Sequence, residues 1–362
     1  MKRRAFTIIE LLVAMALTVV LLGITAYVFQ IAVQAYRTAA ATSEIMRKYQ
    51  ALTQQLKIDL QGLQKNAEFA IVWAPAPVIK KNPPGIAVDV TGDGVADYYK
   101  LDDDNNGIPD RYESFDRLYF FSDGAYQTIY QQPTLYSNLS RICWIFGRNG
   151  QKFAGDRAFM EPDSSKRMLC RTQHLLTGDT SLTPFPDFSL GWVEEDFNNQ
   201  NFTLEYQTMS LQNWLDLDKS IYKPEMLSKI LDLRVGTSVA TEGGPIVNLQ
   251  NPAGLNMFFA EGVGQFHVQI WDSGNQKWFP EIDPNFDGDY SDTDTFSSTG
   301  LKGYTISGND LDLQFLGGAY WIQDEAGMQA VIGDAFKFTF TLYDSRGIFP
   351  EGKTFTYIVY LN

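Results

Sequence analysis

The hydrophobic and polar positions divide this chain into an apolar stem, an amphipathic continuation and a long alternating remainder. From Phe6 to Val33 the chain is an almost unbroken apolar run in which Glu10 is the only charge. About 20 apolar residues at a rise of about 1.5 Å each span a bilayer core as a helix. Lys2, Arg3 and Arg4 precede the run and are expected to stay on the cytoplasmic side, which sends the rest of the chain outward. From Gln34 to about Asn66 there is no Pro, and the only Gly is Gly62. Ile45, Tyr49, Leu52, Leu56, Leu60 and Leu63 recur at intervals of three and four, which places them on one helix face. Arg47, Lys48, Gln54, Gln55 and Lys57 fall mostly off that face. One helix over 6–66 would be about 90 Å long. Its second half needs a cover for the apolar stripe, either a globular domain in cis or a coiled-coil partner, and the sheet-rich remainder favours the first.

After that the period changes. Trp73-Ala74-Pro75-Ala76-Pro77 and Pro83-Pro84-Gly85 end helical structure. Leu118–Phe121, Ile142–Phe146, Phe202–Tyr206 and Phe266–Trp271 are short aromatic or branched runs bounded by Gly, Asn and Asp, as strands require. Residues 174–238, rich in Pro, Asp and Asn, read as a long insertion or a lid, with a short helix expected over Met226 to Leu233. The predicted class is α+β: a long N-terminal transmembrane helix packed on an antiparallel β-sheet head with insertions.

A secretory signal peptide has a shorter apolar core and a small-residue cleavage site after it. Here the small residue, Ala5, comes before the run, and Glu10 sits five residues into it. A carboxylate in an apolar span is costly and tends to be functional. In this respect Arg4-Ala5-Phe6-Thr7-Ile8-Ile9-Glu10-Leu11 resembles the type III signal of type IV pilins and type II secretion pseudopilins. The resemblance implies cleavage between Ala5 and Phe6 by a prepilin peptidase, N-methylation of Phe6, and an assembly role for Glu10. Ala5 stands where the family's usual residue is Gly. Residues 1–5 would be a cytoplasmic leader, 6–66 the helix (6–33 transmembrane, 34–66 amphipathic) and 67–362 a periplasmic or extracellular head.

The last third is similar to the J-type minor pseudopilin of type II secretion. The similarity rests on Gly262-Val263-Gly264 leading into the strand Gln265–Trp271, then Trp278, and two late strand-like runs, Ala335–Asp344 and Phe355–Leu361. Leu56-Lys57-Ile58-Asp59-Leu60 looks like that family's helix end. The implied partners are I-type and K-type minor subunits, the prepilin peptidase and an inner-membrane assembly platform. The implied location is the inner membrane, single-pass with the head in the periplasm, and then a filament tip.

Composition changes the picture in two ways. The net charge is −14, and removing Met1 to Ala5 takes three positive charges away to leave −17 on the side chains. Such a chain should seek cations and not nucleic acid. The only two cysteines, Cys143 and Cys170, are expected either to pair outside the cytoplasm, adding about 3 kcal/mol, or to remain buried thiols.

The acidic loops are the main candidates for chemistry. Residues 102–113 match the calcium loop D-x-[DN]-x-[DN]-G-x5-E. Asp102, Asp104, Asn106 and Asp110 would supply oxygens, Gly107 the sharp turn, and Glu113 a bidentate carboxylate. Asp89, Asp93 and Asp97 have related spacing just upstream, and Asp283, Asn285 and Asp287 form a third candidate within 283–294. Hard oxygen donors fit Ca²⁺ better than Zn²⁺, and the bland alternative for each loop is an Asx-rich turn. A structural Ca²⁺ is the expectation over 89–113 and 283–294. Catalytic signals are weak. The two histidines, His174 and His267, lie far apart, and Gly236-Thr237-Ser238-Val239-Ala240 lacks the last Gly of a nucleophile elbow. No enzyme is predicted. A calcium-dependent surface adhesin on a pilin stem and a membrane-anchored hydrolase are the alternatives.

Overall fold

The computed structural model describes residues 8–64, 67, 69–73, 75–77, 79–80, 86–88, 98–100, 112–128, 134–149, 164–178, 206–207, 210–212, 246–247, 258–272, 276–279, 301–305, 319–323 and 334–361. It begins with one helix, α1 (Ile8–Gln61), of 54 residues. The strands that follow are β1 (Phe69–Trp73), β2 (Pro75–Pro77), β3 (Ile79–Lys80), β4 (Ile86–Val88), β5 (Tyr98–Lys100), β6 (Tyr112–Ser114), β7 (Arg117–Gln127), β8 (Tyr136–Asn149) and β9 (Met168–Leu176). The second half adds β10 (Tyr206–Gln207), β11 (Ile246–Val247), β12 (Phe258–Glu261), β13 (Val263–Asp272), β14 (Lys277–Phe279), β15 (Leu301–Thr305), β16 (Ala319–Gln323), β17 (Ala335–Leu342) and β18 (Lys353–Tyr360). A 3-10 turn, Ser164–Lys166, precedes β9.

Two sheets build the head. The larger runs β10-β9-β8-β7-β1-β16-β15, with β11 added to β8 and β12 to β9. The second runs β14-β13-β17-β18 and is antiparallel throughout. Short pieces β2 with β6, and β3-β5-β4, complete the pairing. A long apolar helix with antiparallel sheets is the α+β architecture expected, consistent with a pilin-like fold.

The runs read as strands from their aromatic and branched residues form the centre of β7, β8, β13, β17 and β18, while of Phe202–Tyr206 only Tyr206, the start of β10, falls among the described residues. Their alternation decides which side chains meet. Leu118, Phe120, Ile142, Trp144 and Leu169 join Phe266, Val268, Phe338 and Phe340 of the second sheet in one apolar core. Within it Trp144 packs edge-on to Phe259 at 4.9 Å and stacks with Phe266 at 6.3 Å, while Phe266 stacks on Phe338 at 5.8 Å. The stripe on α1 fits over this core: Ile45, Leu52, Leu56 and Leu60 are buried, and Tyr49 lies 4.8 Å from the Phe355 ring. Burying such a side chain is worth about 1.5–3 kcal/mol, so the stripe is a large part of what fixes the helix to the head.

α1 ends at Gln61, short of the expected 66, and the reason is local. At Gly62 a Cβ would sit 2.0 Å from the Asp123 carbonyl oxygen, so only glycine permits this approach. The chain then leaves helical geometry to pair with β7. The Asp123 N–H donates to the Gly62 carbonyl at 2.7 Å, and the Gln64 N–H donates to Phe121 at 2.9 Å. A second departure concerns His174, placed at the start of an insertion by its composition. It belongs to β9, registered opposite Arg141 of β8.

Candidate assembly interface

The cleavage site Ala5–Phe6 lies outside the described residues, and Glu10 falls in the first turn of α1, exposed among apolar side chains. Residues 8–39 are exposed except for half-buried Val33. They include Leu11, Leu12, Leu17, Leu21, Leu22, Phe29 and Ile31, an apolar surface that none of the described elements of the head covers. Two of its threonine hydroxyls are satisfied within the helix: Thr18 donates to the Ala14 carbonyl and Thr25 to Leu21, both at 2.8 Å. That is how a helix disposes of polar groups where water is absent. By length and composition α1 is able to cross a membrane, and its apolar window is not buried in the head.

The buried half of α1 is held at two places by polar contacts. The upper one uses the β17–β18 hairpin. Glu44 accepts from the Ser345 N–H and hydroxyl, each at 3.0 Å, and pairs with Lys48 at 3.1 Å. Lys48 in turn donates to the Tyr343 carbonyl at 2.8 Å. The loop keeps its shape because the Asp344 carboxylate accepts from the N–H groups of Arg346, Ile348 and Phe349. Burial, partial at Glu44 and nearly complete at Asp344, pushes both carboxyls up, but their hydrogen bonds outweigh it and hold both below the ordinary carboxylate value.

The lower contact is at the helix end, where Asp59 is fully buried. Arg171 of β9 approaches it in bidentate fashion, Nε to Oδ2 and Nη2 to Oδ1, both 2.7 Å. The Trp144 indole N–H donates to Oδ2 at 3.0 Å and Gln55 to Oδ1 at 2.9 Å. Ser122 donates to the Asp59 carbonyl at 2.8 Å, and the Tyr126 hydroxyl donates to Ser122 at 2.8 Å. The strand register makes this possible, since Trp144 and Arg171 are direct partners on the helix-facing side of β8 and β9. A carboxylate in the apolar stripe, one residue before Leu60, was the available sequence signal; the identity of its partners was not.

Two further polar junctions tie the sheets together. Glu113, expected as a bidentate calcium ligand, is instead a buried residue of β6 paired with Arg167, with Ser164 at 3.3 Å. Arg167 also donates to the Gly264 carbonyl at 2.7 Å and lies over the Phe115 ring at 4.7 Å. At the second junction Asp116 accepts from the Val268 N–H at 2.8 Å and lies 2.8 Å from His267 Nδ1. This joins the start of β7 to β13 alongside the parallel bridge of Phe115 with Phe266. The remaining calcium candidates, Asp89, Asp93, Asp97, Asp102, Asp104, Asn106, Asp110, Asp283, Asn285 and Asp287, lie outside the described residues, as do 226–233 and 236–240.

Of the two states open to the cysteines the structure has the second: Cys143 and Cys170 are both buried free thiols. Cys143 is registered opposite Thr172 and Cys170 opposite Ile145, so they are diagonal neighbours on one sheet face. Diagonal positions are about 7–8 Å apart, beyond the usual disulfide reach of about 4.4–6.8 Å between Cα atoms. Burial pushes the Cys143 thiol up to about 12 and that of Cys170 higher still, which leaves both unreactive.

Residues 1–26 match the prokaryotic N-terminal methylation motif. The chain carries a type IV pilin/pseudopilin signal. The signal implies processing by a prepilin peptidase and assembly with other pilins, and it points to a structural subunit. With the apolar helix beside it, this fits a single-pass, membrane-anchored protein. No curated protein and no solved structure matches the chain significantly.

Proposed function

We propose that this chain is a minor pilin-like subunit, most similar to the J-type minor pseudopilins, that assembles through α1 at the tip of a secretion pseudopilus or a type IV pilus-like filament. The observation that carries the proposal is the division of α1. Behind the methylation signal, one half is apolar and uncovered, and the other is clamped to the head by Asp59 and Glu44. A stem built this way lends its free half to lipid first and to neighbouring stems afterwards. The broad head suits a tip position, where fewer lateral neighbours crowd it. I-type and K-type minor subunits are the partners this reading calls for.

Cleavage would leave an amine on Phe6 inside apolar surroundings. A carboxylate from an adjacent stem offsets that charge, and each group reduces the other's desolvation cost. Glu10 is the only charge available for this in the run. Co-expression with a prepilin peptidase is expected to remove Met1 to Ala5 and leave N-methyl-Phe6 by mass spectrometry, while Glu10→Leu inserts normally but fails to enter filaments. A cut beyond residue 20, or equal incorporation of Glu10→Leu, would sink the proposal.

Calcium belongs to the same proposal as a structural ion. Its support is the oxygen spacing of Asp102, Asp104, Asn106 and Asp110, now without Glu113. At a calcium concentration tenfold above Kd, binding adds about 1.4 kcal/mol. A chelator should therefore lower the melting temperature of the full chain, and Asp102→Ala should remove much of that difference. An unchanged melting temperature in chelator would establish a solvated turn instead.

A further inference from the structure

The free edge of the second sheet is the feature the reading above does not use. β18 is the last strand of β14-β13-β17-β18, and among the described residues nothing pairs with its outer side. The ladder fixes which backbone groups face outward. The Leu361 N–H donates to the Asp334 carbonyl at 2.8 Å, one register step beyond Ala335 opposite Tyr360. Odd-numbered residues of β18 therefore turn their N–H and C=O toward β17, by the alternation of an antiparallel ladder. Thr354, Thr356, Ile358 and Tyr360 turn theirs to the open edge, and their side chains are exposed as well, Tyr360 to 74%.

This edge lacks the devices that keep a sheet edge from pairing. From Thr354 to Tyr360 it holds no charge, no proline and no glycine, and its register with β17 runs without a bulge. Its composition of Thr, Phe, Tyr, Ile and Val is that of a strong strand former. A strand of this kind is a template for another extended segment.

Its position says which segment. β17 and β18 pack on α1: Phe355 and Phe340 hold Tyr49, and the hairpin between the strands holds Glu44. The exposed apolar stem of residues 8–39 runs directly into this stretch of α1, where Ala41 and Ile45 become buried. The surface through which stems assemble therefore ends beside the strands whose outer edge is β18.

We propose that the outer edge of β18 pairs with an extended segment of a neighbouring pilin-like subunit when stems assemble, adding a strand to the second sheet. This rests on the assembly role proposed above. The two are separated by amide hydrogen exchange on the full chain, once purified in detergent and once in filaments sheared from cells that assemble it. In detergent the outward amides of Thr354, Thr356, Ile358 and Tyr360 exchange quickly, while those of Phe355, Tyr357 and Val359 are protected. In filaments the outward set slows roughly tenfold or more, as newly bonded amides do. Thr356→Pro removes one outward donor and none that serves β17, and is expected to lower filament incorporation severalfold, whereas Thr356→Val is not. If Thr356→Pro also lowers the melting temperature, the exchange measurement on the unaltered chain decides alone. A chain that enters filaments with its outward amides still exchanging quickly overturns this inference and leaves the assembly role standing. Protection that appears with rising concentration in detergent assigns the edge to a second copy and overturns it too. A chain that never enters filaments overturns both.

Discussion

The two halves of α1 share one backbone geometry and have opposite surroundings. Residues 8–39 are exposed apart from half-buried Val33, whereas Ala41, Ile45, Leu52, Leu56 and Leu60 are all sealed against the head. The difference follows from the residues between the apolar ones. In the second half they are charged or amide-bearing, so water accepts one side and the sheets take the other. In the first half nearly every side is apolar, and none of the described residues of the head covers it. A folded head with an uncovered apolar stem is complete as a domain and incomplete as a molecule, which is the physical content of calling it a subunit.

The sharpest way to break this division is to remove the charge that anchors the buried half. Asp59→Ala leaves Arg171 with no carboxylate in a mostly buried site and removes the acceptor that Trp144 meets at 3.0 Å. Losing one partner of such a pair costs about 3–5 kcal/mol. Denaturant unfolding of the full chain in detergent, followed by Trp fluorescence, should show that loss, while membrane insertion stays normal. A loss below about 1 kcal/mol would mean that the apolar stripe alone secures the helix.

The next comparison is between leucines. Leu52→Ala empties a buried site and is expected to cost the head about 2–5 kcal/mol. Leu21→Ala, on a residue 66% exposed, should change head unfolding by less than about 0.5 kcal/mol. Equal losses in the two variants would show that the stem folds back onto the head in solution.

The same contrast explains what was legible in the sequence. The stem, its signal and the stripe from Ile45 to Leu63 are periodic and local, and periodicity is what single sequences carry. The strands around Phe120, Trp144, Phe266 and Phe338 were visible for the same reason. What escaped were the pairings of distant polar groups. Arg171 is separated from Asp59 by 112 positions and Arg167 from Glu113 by 54, and nothing in the spacing announces either pair. Glu113 is the instructive case: it completes a calcium pattern along the chain, and β6 carries it into the interior beside Arg167, a neighbour the spacing did not announce. Between the two states left open for Cys143 and Cys170, the register decides: neighbouring strands bring them together, and an offset of two residues keeps them apart.

The smallest expected effect concerns the upper contact, and it is set by pH. The hydrogen bonds from Lys48 and Ser345 outweigh the effect of burial and leave the Glu44 carboxyl below its ordinary value of 4.5. A depressed folded value means that the contact's stability is fully present above that ordinary value and is lost as pH falls through the folded one. Asp344, held below its ordinary value of 3.8 by three backbone N–H groups, loosens the same loop in the same direction. The hairpin should therefore release α1 near Glu44 at acid pH. Because Glu44 is partly exposed, Glu44→Gln should cost only about 0.3–1 kcal/mol at neutral pH. The Ser345 amide, which donates to Glu44, gives a local readout by hydrogen exchange. In the unaltered chain its exchange should speed up below about pH 4, relative to the intrinsic rate. In Glu44→Gln it should be faster from the start and lose the acid step that Glu44 contributes, keeping only the weaker one from Asp344. An acid step of the same size in both chains would assign the pH response to Asp344 alone and leave Glu44 as a neutral contact.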